Sequence, residues 1–159
     1  MVGEMNKAVF EPSKSKLGDI DAKYMVLIAY LGMGILGLIS YAGFVAFIVP
    51  LIIYFVDKEN KFIAFHAMQA LLLGVISAVI SIILAIVAAA TVASALALNP
   101  AAWTAGLGAT LAIGAIGIVV GVIILIFAII AMIKGFKYEI YEIPLVGKWA
   151  EKIVFKTSN

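Results

Sequence analysis

The sequence predicts an all-α polytopic membrane protein, with four transmembrane helices arranged as two hairpins and a short C-terminal amphipathic helix at the membrane surface. Two observations carry this prediction. The 159 residues are 65% hydrophobic and only 13% charged, with a mean hydropathy of +1.21, whereas soluble domains are about half apolar and about a quarter charged. Charge is also segregated, because between Lys23 and Lys134 the only charged side chains are Asp57, Lys58, Glu59 and Lys61. The apolar runs on either side of that turn are too long for a soluble core, so the turn reads as a loop at a membrane face.

Residues 1–23 set Lys7, Lys14, Lys16 and Lys23 against Glu4, Glu11, Asp19 and Asp21, with Pro12 interrupting them. This mixture is expected to form a disordered cytoplasmic tail. The segment has no apolar h-region as a secretory signal requires, and four acids with no arginine do not fit an organelle transit peptide, which points to the plasma membrane of a prokaryote.

The transmembrane domain is expected over 24–136. Residues 24–56 carry no charge until the turn, and as one helix they would be about 50 Å long against a hydrocarbon core of about 30 Å. A split at 40–43 (SYAG) gives two short arms, 24–39 and 44–56, with Pro50 kinking the second. After the turn, residues 62–133 are uncharged and are broken only near Asn99 and Pro100, which gives two longer spans, 62–95 and 106–133. Four spans place both termini and the turn on one side with all 11 lysines. Under the positive-inside rule that side is the cytoplasm.

Small residues recur at spacings of three and four in the long pair. Gly74 and Ser81 on one helix and Gly114, Gly117 and Gly121 on the other are expected to form a close-packing seam, although glycine and alanine are frequent enough here to produce such a ladder by composition. Tyr24, Phe62, Phe65, Trp103, Tyr141 and Trp149 fall near the ends of the apolar runs and read as interface anchors. Residues 137–159 form the cytoplasmic end, where Leu145, Val146, Trp149, Ala150, Ile153 and Val154 share one helical face and Lys148, Glu151 and Lys152 another, after Pro144.

His66 and Gln69 are the strongest hydrogen-bonding side chains within the long apolar stretch. One turn apart on one face, they are read either as structural groups bonded to neighbouring helices or, with Pro50, as a site for a ligand or client chain. Nothing points to catalysis. The spans hold one histidine and no carboxylate, too few for a metal site or a buried nucleophile with its base, and no cysteine is present to supply thiolates or disulfides. No metal and no cofactor is expected, and a net charge of +2 gives no case for nucleic acid. The expected partners are the lipid bilayer, other membrane proteins or client polypeptides, and further copies of the chain.

Phe65, His66, Ala67, Gln69, Ala70 and Leu71 form an FHAxQAL core, which is followed after two spans by an Ile143-Pro144-Leu145 segment. This pattern resembles the small four-span proteins related to the twenty-kilodalton subunit of the chloroplast inner-envelope translocon. The resemblance implies a four-helix membrane fold and a non-enzymatic role in protein translocation, insertion or assembly. The residues themselves leave two alternatives open, a small-solute or ion conductor and a structural subunit of a larger membrane complex.

Overall fold

Helices account for nearly all regular structure in the computed structural model, which describes residues 9–38, 45–98 and 100–156. Five α-helices follow in order: α1 (Ala22–Leu38), α2 (Ile48–Val56) after a 3-10 turn at Val45–Phe47, α3 (Lys61–Leu98), α4 (Pro100–Phe136) and α5 (Val146–Lys156). Two of them, α3 and α4, are long and apolar enough to cross a membrane.

Four full spans are therefore not supported among the described residues. With 17 residues α1 reaches about 25 Å, and with 9 residues α2 reaches about 14 Å, both short of a core about 30 Å thick. The turn expected at 40–43 and the break at Asn99 lie outside the described residues. Pro50 does not kink an arm. It occupies the first turn of α2, where its missing N–H has no intrahelical partner to lose.

The chain divides into two compact units. The first, here the base, comprises Met1–Val75 and Ile126–Asn159. In α1 the residues Ala22, Met25, Val26, Ala29 and Tyr30 are buried, at the 3-4-3-4 spacing of one helical face, while Tyr24, Ile28, Leu31 and Ile35 on the other face are exposed. Gly32 lies against Val49 and Gly74 against Met33 and Phe47, so glycines allow α1, the 3-10 turn and α3 to approach closely. Asn60 caps α3 by accepting from the Ile63 N–H at 3.3 Å. From Phe62 to Ala70 every residue of α3 is buried, right round the helix.

The described part of the N-terminal segment is not a disordered tail. Gly18 and Asp19 both have left-handed backbones, at φ 71° and 61°, at the end of a four-residue turn over 16–19 that reverses the chain. The Ser15 N–H donates to the Ile20 carbonyl and the Ala22 N–H to that of Ser13, both at 2.8 Å. Val9 bridges to Glu139, and Phe10 stacks against Phe62.

At its far end α4 closes with a complete Schellman motif. The Glu139 N–H donates to the Lys134 carbonyl and the Tyr138 N–H to that of Gly135, each at 3.0 Å. Tyr138 holds the left-handed position (φ 60°) usually given to glycine, and its ring packs on Phe62 at 5.5 Å.

The second unit is the hairpin Ile76–Leu125. Its arms run antiparallel, with Leu84 beside Gly117 and the Thr91 hydroxyl 3.3 Å from that of Thr110. Both threonines also donate back to their own helices, at Ala88 and Gly106. Most large apolar side chains point outward, with Leu111 76% and Ile118 70% exposed. In water such a surface would aggregate; in lipid it is the expected one.

The predicted packing seam divides. Of its five members, Gly117 reaches α3 through Leu84, and Gly74 packs on α1 and the 3-10 turn. Gly114 and Gly121 look into open space, and Ser81 is exposed.

Candidate functional site

Gln69 is the most connected side chain of the base. Its Nε2 donates to the Tyr30 hydroxyl at 2.8 Å and to the Tyr141 carbonyl at 3.0 Å. Its Oε1 accepts from the Ile143 N–H at 3.2 Å. One carboxamide thereby joins α1, α3 and the extended segment before α5, and it supplies partners to main-chain groups that no strand or helix serves. Gly147 completes the fit, since a Cβ there would lie 2.6 Å from Glu142 Cα and 2.9 Å from Gln69 Oε1.

His66, one turn earlier, is equally buried but differently surrounded. Its ring meets those of Phe62, Phe65 and Tyr30 edge-on, at centroid separations of 4.9, 5.5 and 6.2 Å. Neither ring nitrogen has a hydrogen-bond partner at good geometry among the described residues, although the Glu139 main chain interacts with the ring. Gly135 and Val26 close the remaining side. The FHAxQ run thus encodes a helix base enclosed by protein, in which Ala67 and Ala70 leave room for close neighbours.

The three residues expected to form a client or ligand site are interior. His66, Gln69 and Pro50 are all fully buried, and none lines an opening to the surface. Phe62 and Phe65, expected as interface anchors, are buried in the same core. Tyr24, Trp103 and Trp149 are exposed as anchors should be, and Tyr141 is half-buried. The Lys23 ammonium lies 5.2 Å from the Tyr24 ring centroid and 5.0 Å from that of Phe136, a cation–π contact of the kind found where helix ends leave lipid.

A second polar cluster escaped the sequence reading. The Asp57 carboxylate is buried, with one oxygen accepting from the Lys16 N–H at 2.7 Å and the other from the Ser15 hydroxyl. Asn60 donates to the Ser13 hydroxyl at 2.9 Å. Outside this latch, Lys16 pairs with Glu59 at 2.5 Å and Lys134 with Glu139 at 2.6 Å. The hydrogen bond from each lysine holds its partner carboxyl below the usual range. The Gly18-Asp19 pair was the available signal, being a hairpin-turn dipeptide. Its partners lie some forty residues away, where no local pattern reaches.

A small cavity of about 30 Å³ in the hairpin unit is lined by Val92, Trp103, Gly106 and Leu107. Among the described residues no three His, Cys, Asp or Glu side chains come together as metal ligands would.

No curated protein and no solved structure matches the chain. Residues 21–150 match MamF/MmsF, described as a magnetosome magnetite crystal formation protein family. This match overturns the resemblance to the chloroplast translocon subunit, and the FHAxQAL core that carried it packs inside the base through His66 and Gln69. Over most of its length, the chain belongs to the MamF/MmsF family of magnetosome membrane proteins.

Proposed function

We propose that the protein is a non-enzymatic membrane component of a magnetosome-type compartment, an invagination of the prokaryotic plasma membrane, and that it contributes there to magnetite crystal formation. The hairpin unit anchors the chain in lipid, and the base presents the polar segments at the membrane surface. The observation that carries this reading is the exposed apolar surface of the hairpin in a chain whose family is described by that role. The two buried polar clusters support a structural part, since their long-range hydrogen bonds tie one segment of the base to another.

Both termini face the cytoplasm in this reading, because every lysine lies outside 62–133 and a hairpin returns its two ends to one side. Helices α1 and α2 enter the same leaflet as a short pair that does not cross it. The partners are bilayer lipid and other proteins of that membrane. The Thr91 and Thr110 hydroxyls, each bonded to its own helix, favour a lock between the arms over a path for solutes.

Deleting the gene in its source cell should reduce the size or number of membrane-enclosed iron-mineral crystals seen by electron microscopy. The wild-type gene should restore them, and a Leu111→Lys/Ile118→Lys variant, unable to enter lipid, should not. Crystals unchanged on deletion would overturn the role. Orientation is tested separately with single cysteines, for which Glu11→Cys should react with an impermeant thiol reagent only from the cytoplasmic side and Ala105→Cys only from the other.

A further inference from the structure

The face of α5 turned away from the protein sets exposed apolar side chains beside exposed lysines. Val146, Ala150 and Val154 are buried at the base, and the adjacent row, Leu145, Trp149 and Ile153, is 71, 50 and 37% exposed. Trp149 and Ile153 stand one turn apart on α5, and Leu145 lies immediately before its first residue. Lys148 and Lys152 flank it, both exposed, and the helix carries three lysines against one glutamate.

The backbone adds an independent observation. Leu145 has φ 67°, a left-handed conformation costing a branched side chain about 1–2 kcal/mol. Backbone hydrogen bonds hold this turn, from the Val146 N–H to the Pro144 carbonyl at 2.9 Å and from the Gly147 N–H to that of Ile143 at 2.7 Å, and the leucine it carries is among the most exposed large apolar side chains of the base. The turn thereby presents an apolar side chain outward beside the exposed row of α5.

We propose that Leu145, Trp149 and Ile153, with Lys148 and Lys152, form a peripheral contact with anionic phospholipid, the apolar row entering the headgroup boundary and the lysines pairing with lipid phosphates. This rests on the membrane placement argued above. A second copy of the chain fits less well. Three side chains are far fewer than the 20–30 residues a side, roughly 800 Å² per partner, of a stable interface, and a two-fold pairing across the row would set lysines against lysines. Anionic headgroups complement both features, at about fivefold in partitioning for each lysine near the surface.

The test uses the full chain in lipid nanodiscs, with Trp103→Phe so that Trp149 alone emits. In discs of phosphatidylglycerol the emission should shift to the blue and lose iodide quenching relative to discs of phosphatidylcholine. Lys148→Gln/Lys152→Gln should remove most of that difference while the far-ultraviolet dichroism stays unchanged. Emission that is equally water-exposed in both lipids overturns the contact, and equal burial in both overturns its preference for anionic lipid. Burial that depends on protein concentration in lipid-free detergent assigns the row to a second copy. Retention of the chain in discs is scored by gel filtration. Chain lost from the discs indicts the membrane placement itself, and chain retained with Trp149 exposed indicts this proposal alone.

Discussion

Along α3 the same kind of sequence lies in two opposite environments. Ile63, Phe65 and Met68 are as apolar as Ile82, Ile83 and Ile86, yet the first three are buried and the last three are more than half exposed. What differs is the polar company. His66 and Gln69 sit in the enclosed stretch, where main-chain groups of the segment before α5 need partners. In the hairpin the Thr91 and Thr110 hydroxyls donate within their own helices and meet each other. Polar side chains mark where protein surrounds a helix, and their absence marks where lipid can.

The sharpest way to break this comparison is to remove the central amide. Gln69→Leu would leave the Tyr30 hydroxyl, the Tyr141 carbonyl and the Ile143 N–H unpaired, and should cost about 3 kcal/mol or more. The loss would be read as a lowered melting temperature in detergent. Ile118→Ala in the hairpin should change it little, and equal losses at the two sites would remove the distinction.

Glycines sharpen it next. Gly147→Ala must push against the Glu142 backbone and Gln69, and should cost about 1–3 kcal/mol. Gly121→Ala, facing open space, should stay within about 0.5 kcal/mol of wild type. A loss of similar size to that of Gly147→Ala, about 2 kcal/mol, is expected for Asp57→Ala, which strands the Lys16 N–H. That variant should also expose Lys14 and Lys16 to trypsin at temperatures where the wild type resists.

The smallest effect concerns Glu142. Burial lifts its carboxyl above the usual range, the neighbouring Glu151 charge lifts it further, and Lys148 partly offsets both. The fold therefore favours the protonated form. That contribution is complete below the ordinary carboxylate pKa and disappears as pH rises through the elevated folded value. Glu142→Gln should leave stability at acidic pH unchanged and raise it slightly at neutral pH, as followed by thermal unfolding across that range.

How much of this was legible in the sequence follows the same division. The long helices, the loop at 57–60 and the amphipathic α5 were legible because hydropathy and helical period are local properties. The short first pair was legible as a length mismatch, but its consequence for span count was not, since 24–56 is as apolar as a true span. Phe62 and Phe65 were misplaced at the interface because an aromatic at the end of an apolar run looks alike whether lipid headgroups or protein receive it. The Ser15-Asp57 latch and the Gln69 staple join residues some forty and seventy positions apart, and no periodicity encodes such pairs. His66 and Gln69 stood out correctly as unusual. Their roles then depended on what the fold brought to them, three aromatic rings for one and three hydrogen-bonding groups for the other.

The central claim is that protein encloses residues 62–70 and lipid surrounds the hairpin. It is tested most directly on the unmodified chain in native-like membranes, by photolabelling with a lipid-soluble diazirine and locating the adducts by mass spectrometry. Carbene insertion should fall on hairpin peptides that contain Ile82, Ile86, Leu111 and Ile118, and should spare the peptide holding Phe62, Phe65, His66 and Gln69. Labelling of 62–70 at the level of the hairpin would contradict the account, because it would put lipid where the fold requires α1, α5 and the N-terminal segment to be.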